Sequence, residues 1–125
     1  MPIQNDNISS RKQLVDLLTR NESVVILKFG ADWCGPCKVI EKAVIDYMNQ
    51  MPDHYTCMVL DVDECIDLFS FLKSKKVVST IPVILAYFKG NVNPLAPDKT
   101  VIGTSGVKEF FEFCYIKGPH TSFLS

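Results

Sequence analysis

Long apolar runs are missing from this chain of 125 residues. None approaches the roughly 20 residues that a membrane-spanning helix needs, so no membrane association is expected. Charge of one sign is scarce too. Thirteen basic and 14 acidic side chains leave a net charge of −1, which gives no electrostatic footprint for nucleic acid or an anionic membrane. The opening residues, Met1-Pro2-Ile3-Gln4-Asn5-Asp6, have neither the basic end nor the apolar stretch of a secretory signal, and a cytoplasmic protein is expected. The five cysteines do not form the even-numbered framework of a secreted disulfide scaffold. One close pair, Cys34 and Cys37, stands apart from the scattered Cys57, Cys65 and Cys114. With 47% hydrophobic and 22% charged residues the composition is that of an ordinary globular protein. The length suffices to close one core without staples, so a single domain over residues 1–125 is expected.

What is present is periodicity. Ser10 and Gln13 make a capping box before Leu14, Leu17 and Leu18, which predicts a one-sided helix ending near Arg20-Asn21. Val24 to Phe29 is apolar on both faces except at Lys28, the pattern of a central strand covered by helices on each side. Ile40, Ala43, Val44, Tyr47, Met48 and Met51 form a helical stripe that Pro52 stops. A second strand is expected over Tyr55 to Val62, then a helix with Cys65, Leu68, Phe69 and Leu72 on one face. Pro82 stands at the mouth of the strand Val83 to Phe88, where a missing ladder donor is tolerated. A short strand at Thr100 to Ile102 and a last helix with Val107, Phe110, Phe111, Cys114 and Tyr115 inward complete the chain, and Ile3 adds a brief edge strand. Alternation of β and α predicts a parallel core sheet closed by an antiparallel edge pair. The fold class expected is α/β: a central mixed sheet of four to five strands flanked by helices on both faces.

The chemistry centres on Trp33-Cys34-Gly35-Pro36-Cys37-Lys38, between the first long strand and the second helix. Thiols three positions apart at a helix start can close a disulfide without distorting the chain. A thiolate there faces unpaired N–H groups and the positive end of the helix dipole, which stabilises it. Cys34 is therefore the candidate nucleophile. Cys37, one turn further on and more buried, is the candidate resolving thiol. Pro36 fits the first turn, where its missing N–H does no harm; Gly35 leaves room for a bulky partner; Trp33 forms an apolar lip. A zinc half-site is the competing reading, but no second Cys pair exists, and His54 and His120 are at no ligand spacing from the first, so no metal is expected. Asp61 and Asp63 lack the glycine and the glutamate of a calcium loop. Cys57, Cys65 and Cys114 are expected to be packing residues, with Cys65, just after the acidic turn, the best placed of the three for a regulatory thiol. Phe110, Phe111 and Phe113 are expected to be core plus one exposed ring, and His54 a surface residue.

That hexapeptide is the active-site motif of the thioredoxins, and the chain resembles this family from about Ser9 to Lys117. The resemblance implies the thioredoxin fold and a monomeric thiol–disulfide oxidoreductase acting on protein disulfides. Cys34 would attack, and Cys37 would release the reduced product. No bound cofactor is implied, since NADPH would supply electrons through a thioredoxin reductase. Pro82 resembles the family's cis-proline, and the residue before it, here Ile81, would lend its backbone to an extended substrate segment. Lys28 departs from the pattern, because thioredoxins usually bury an aspartate six residues before the nucleophile. A cation there would lower the pKa of Cys37, but while charged it cannot accept a proton. It would otherwise snorkel outward or pair with Asp61 or Asp63, leaving proton transfer to solvent. Phe29-Gly30-Ala31-Asp32-Trp33 is also similar to the spliceosomal thioredoxin-fold proteins, which have lost the dithiol. This supports an alternative, a non-catalytic interaction module using the groove near Trp33 and Ile81-Pro82 or the connection Asn91 to Lys99. Retention of both cysteines counts against it.

Overall fold

The computed structural model describes residues 2–5 and 7–119, so His120 and the polar tail beyond it lie outside the described residues. Ser10 caps the first helix, α1 (Arg11–Thr19), through both halves of the capping box: its side chain accepts from the Gln13 N–H, and the Gln13 carbonyl oxygen accepts from the Ser10 N–H. The chain then runs through β1 (Val24–Gly30), α2 (Gly35–Gln50), β2 (Thr56–Asp61), α3 (Ile66–Ser74), β3 (Val83–Phe88), β4 (Lys99–Ile102) and α4 (Val107–Lys117). The sheet order is β2-β1-β3-β4. Ile3 contributes only an isolated parallel bridge to Cys57 on the β2 edge.

β1 is buried along its whole length, Lys28 included, as a run apolar on both faces apart from that lysine requires. Its odd and even positions face two separate cores. Val25, Leu27 and Phe29 pack with Leu14, Leu17 and Leu18 of α1 and Leu68 and Leu72 of α3. Val24 and Ile26 pack with Ile40, Val44 and Met48 of α2 and Phe110, Phe111 and Cys114 of α4. Lys28 falls on the α2 side by the same alternation.

The parallel core predicted by alternation is realised in one pair only. β1 and β2 are parallel, but β3 is antiparallel to β1 and to β4. The physical reason lies between α3 and β3. Residues 75–82 carry the chain back to the end of the sheet where β1 stops, so that Val83 pairs with Phe29 and Phe88 with Val24. Two stripe assignments also change. Ala43 is exposed, because α2 seats on the i, i+4 row Ile40, Val44, Met48. Tyr115 is 51% exposed, because the buried row of α4 ends at Cys114.

The connection between β3 and β4 is pinned at the opposite end of the sheet from the start of α2. Tyr87 Oη donates to the Pro94 carbonyl at 2.7 Å, and Asp98 accepts from the Phe88 N–H at 2.8 Å and from Asn91 Nδ2 at 3.0 Å. The two cores predict a sharp contrast on α3. Leu68→Ala, at a fully buried position, should cost about 2–5 kcal/mol of unfolding free energy. Ile66→Ala, at a position 61% exposed, should stay within about 0.5 kcal/mol of the parent. Urea denaturation of the two variants measures both.

Candidate functional site

β1 ends at Gly30, and the chain turns through residues 31–34 with the Cys34 N–H donating to the Ala31 carbonyl at 3.2 Å. Cys34 keeps extended backbone and caps α2, its Sγ accepting from the Cys37 N–H at 3.2 Å. This is the amide environment that favours a thiolate at that sulfur. Pro36 occupies the first turn of α2, where no donor is wasted. Cys34 and Cys37 are joined in a disulfide, with Cα atoms 5.3 Å apart. Both are buried, Cys37 more deeply at 2% exposure against 6% for Cys34, while Gly35 and Pro36 between them are exposed.

Trp33 stands 69% exposed beside the pair. Its indole Nε1 donates to Asp63 Oδ2 at 2.8 Å, and the Asp63 N–H donates to Asp61 Oδ1 at 2.8 Å. Asp63 thus anchors the indole, a role sequence reasoning missed. The acidic turn gave a failed calcium pattern and a candidate partner for Lys28, and nothing in the spacing of Trp33 and Asp63 joins them.

Across the groove, the Ile81–Pro82 bond is cis, Pro82 is buried, and its carbonyl accepts from the Gly103 N–H at 2.9 Å. Ile81 remains partly open. The groove between Trp33, Cys34, Pro36 and Ile81 has a volume of about 400 Å³, with Val62 and Phe69 also lining it and the exposed Lys73 at its border. Cys34, Gly35, Pro36, Trp33 and Ile81, named from sequence, therefore share one groove. Lys73, in the last turn of α3, joins them.

Lys28 neither snorkels outward nor forms an ion pair among the described residues. It is 5% exposed. It borders a cavity of about 110 Å³ with Gly30, Cys37, Lys38, Glu41 and Asp61. Asp61 and Asp63, the partners expected from sequence, are engaged in the turn and the indole contact instead. Burial pushes the Lys28 pKa down; the negative charge of Glu41 opposes this and the positive charge of Lys38 adds to it.

The other three thiols are free and buried. Burial raises Cys57 to about 12, with Cys114 adding to the effect. Cys114 is likewise raised by burial to about 12. Cys65 is raised to about 11 by burial and by the Asp61 and Glu64 charges, and its Sγ donates to the Asp61 carbonyl at 3.2 Å. All three are buried, as expected of packing residues, and the acidic turn that made Cys65 the best placed of them for regulation instead disfavours its thiolate. His54 is half-buried, with its ring edge-on to Tyr55. Among the described residues, no group of three or more His, Cys, Asp or Glu side chains is placed to hold a metal ion, and no helix is long and apolar enough to cross a membrane.

A family model described as thioredoxin matches residues 7–113. A thioredoxin-4-type protein of Dictyostelium discoideum is 36% identical over 84 residues, covering 67% of this chain and 74% of that protein. Thioredoxin-1 of Saccharomyces cerevisiae is 35% identical over 60% of this chain and 68% of its own length. Among solved structures, thioredoxin O2 of Arabidopsis thaliana in its oxidised state superposes with a TM-score of 0.62 at 26% identity, covering 86% of this chain and 91% of that one.

The raised thiols make stability depend on alkaline pH. Cys57, Cys65 and Cys114 keep their protons in the folded state well above 9.0, the pKa of an unperturbed thiol. The unfolded chain loses those protons first, so it binds fewer as pH rises, and unfolding free energy falls. The contribution is complete below about pH 9 and declines toward about pH 11–12. Urea midpoints taken across that window should drop steadily. In the native reduced protein at neutral pH, alkylation mapped by mass spectrometry should mark Cys34 and spare Cys57, Cys65 and Cys114.

Proposed function

The chain belongs to the thioredoxin family of thiol–disulfide oxidoreductases, and from that premise we propose that it reduces protein disulfides through a Cys34/Cys37 dithiol–disulfide cycle. The single observation that carries this reading is the disulfide at the first turn of α2, with Cys34 Sγ facing the Cys37 amide at the open groove.

In the cycle, the Cys34 thiolate attacks one sulfur of a substrate disulfide and forms a mixed disulfide, releasing the other sulfur as a thiolate. Cys37 then attacks Cys34 Sγ, the bond to substrate breaks, and the second substrate sulfur leaves with the electron pair. Two electrons pass to the substrate, and the protein is left as the disulfide. Gly35 and Pro36 keep the outer side of that bond open. Trp33, held by Asp63, and the cis Ile81–Pro82 segment flank the approach, where the Ile81 backbone would receive an extended substrate strand. Lys28 is assigned to tuning of Cys37. Neither metal nor prosthetic group is needed, because the sulfurs carry the electrons. NADPH through a reductase of the thioredoxin reductase type would regenerate the dithiol, in a reducing space such as the cytoplasm. A monomer forming one domain over residues 1–125 fits this work.

The interaction-module reading loses support on geometry. Of the two surfaces it offers, the groove is the one that holds the Cys34–Cys37 pair, which a pure scaffold would not need, and the connection between β3 and β4 is tied down by its own hydrogen bonds.

An insulin-type disulfide reduction assay tests the cycle. Cys34→Ser should reduce turnover to the background rate. Cys37→Ser should also stop turnover, but accumulate a covalent mixed disulfide with substrate, visible on a non-reducing gel. Full activity in Cys34→Ser would sink the reading.

A further inference from the structure

Lys28 is a buried charge, and the tuning of Cys37 assigned to it can be given a physical form. Its sheet neighbours are Val59 on β2 and Ile84 on β3, which offer it no counter-charge. A β-carbon built on Gly30 would stand 2.9 Å from Lys28 Nζ and 3.3 Å from Cys37 Sγ. Nitrogen and sulfur are therefore about 6 Å apart or less, within the range over which an opposite charge favours ionisation. The absence of a side chain at Gly30 is what opens this approach. The cavity of about 110 Å³ beside them has room for water to bridge the two.

The other charges around this cavity are few. Lys38 and Glu41 face it from α2, Asp32 from the turn before α2, and Asp61 from the end of β2; β3 adds only the apolar Ile84. Lys38 and Glu41 act on Lys28 in opposite directions, and one Asp61 oxygen is already taken by the Asp63 N–H. In the disulfide state neither sulfur is charged, so the ammonium is left with its burial largely uncompensated, and burial is what most lowers its pKa. Opening the disulfide supplies an anion at the cavity wall.

We propose that Lys28 is the counter-ion of the Cys37 thiolate, keeping the resolving sulfur ionised whenever the disulfide is open. This rests on the cycle proposed above, in which Cys37 must attack as a thiolate. In the mixed disulfide, the Cys37 sulfur attacks Cys34 Sγ, the Cys34–Cys37 bond forms, and the bond from Cys34 to the substrate sulfur breaks. The electron pair leaves on that sulfur, which takes a proton from water. Lys28 loses its counter-ion at that moment, so the charge favours the open dithiol over the closed disulfide. The lysine therefore accelerates resolution and, by the same interaction, makes the couple more oxidising.

Lys28→Met and Lys28→Gln test this, since both remove the charge while filling most of the volume. Replacing an ill-compensated buried charge by a neutral side chain does not cost folding. In a Cys34→Ser background, the alkylation rate of Cys37 against pH, read by mass spectrometry, gives its ionisation directly. Both neutral variants should raise the Cys37 pKa by about 1–3 pH units, which is about a tenfold loss of thiolate for each unit below it. With both cysteines present, equilibration against a glutathione series should show each neutral variant to be more reducing than the parent. Coincident alkylation profiles for Lys28, Met and Gln proteins, or unchanged potentials, would overturn the assignment. Failure of the reduction cycle itself looks different: the charge dependence of the Cys37 profile would persist in a protein with no reductase activity.

Discussion

The first turn of α2 is the constraint on which the rest of the structure depends. Cys34 must leave the helix in extended conformation for its sulfur to meet the Cys37 amide, and the next helical turn must carry Cys37 back beneath it. That geometry holds only if α2 is fixed against the sheet along its whole apolar row, and Ile40, Val44 and Met48 do so against Val24, Ile26 and Ile84. Fully buried β1 supplies the platform, and its termination at Gly30 sets where the turn begins. The opposite core, built by α1 and α3, covers the other face of the same strand, and Phe69 at its border also lines the groove beside Cys34. Burial on both faces removes the freedom that would let the sulfur pair drift.

Much of this was legible in the chain. The two-sided apolar run of Val24 to Phe29, the row of α2 and the capping box of Ser10 and Gln13 each correspond to an element whose period or cap chemistry is local. Cys34 and Cys37 were legible for the same reason, since their spacing and the helix start following them are written within six residues. What escaped was set by distant segments meeting. The direction of β3 depends on how residues 75–82 return across the sheet. The anchoring of Trp33 by Asp63 joins residues 30 positions apart. The influence of Lys28 on Cys37 was anticipated, but the gap at Gly30 that lets the two approach was not. Cys65 is buried as expected of a packing residue, and the acidic turn that singled it out from Cys57 and Cys114 acts on its thiol in the same direction as burial.

The two faces of the sulfur pair are chemically unlike. On one side lies an open groove bounded by an indole and a cis-proline segment, suited to an extended chain whose sequence is read loosely. On the other lies a small polar cavity with a single buried lysine. In the proposed cycle substrate engages the first, and the charge on the resolving sulfur is set on the second.

Both margins of the sheet are poor templates for another chain's backbone. At the start of β2, the Cys57 amide and carbonyl are already taken by Pro2 and Gln4. β4 is only four residues long and presents Lys99 and Thr100 to solvent. Exposed strand margins invite pairing between copies and the growth of aggregates, and short, charged or covered margins discourage it. A chain with such flanks is thereby steered away from recruiting foreign strands into its sheet, and the groove beside the sulfurs is left as the open face for contact.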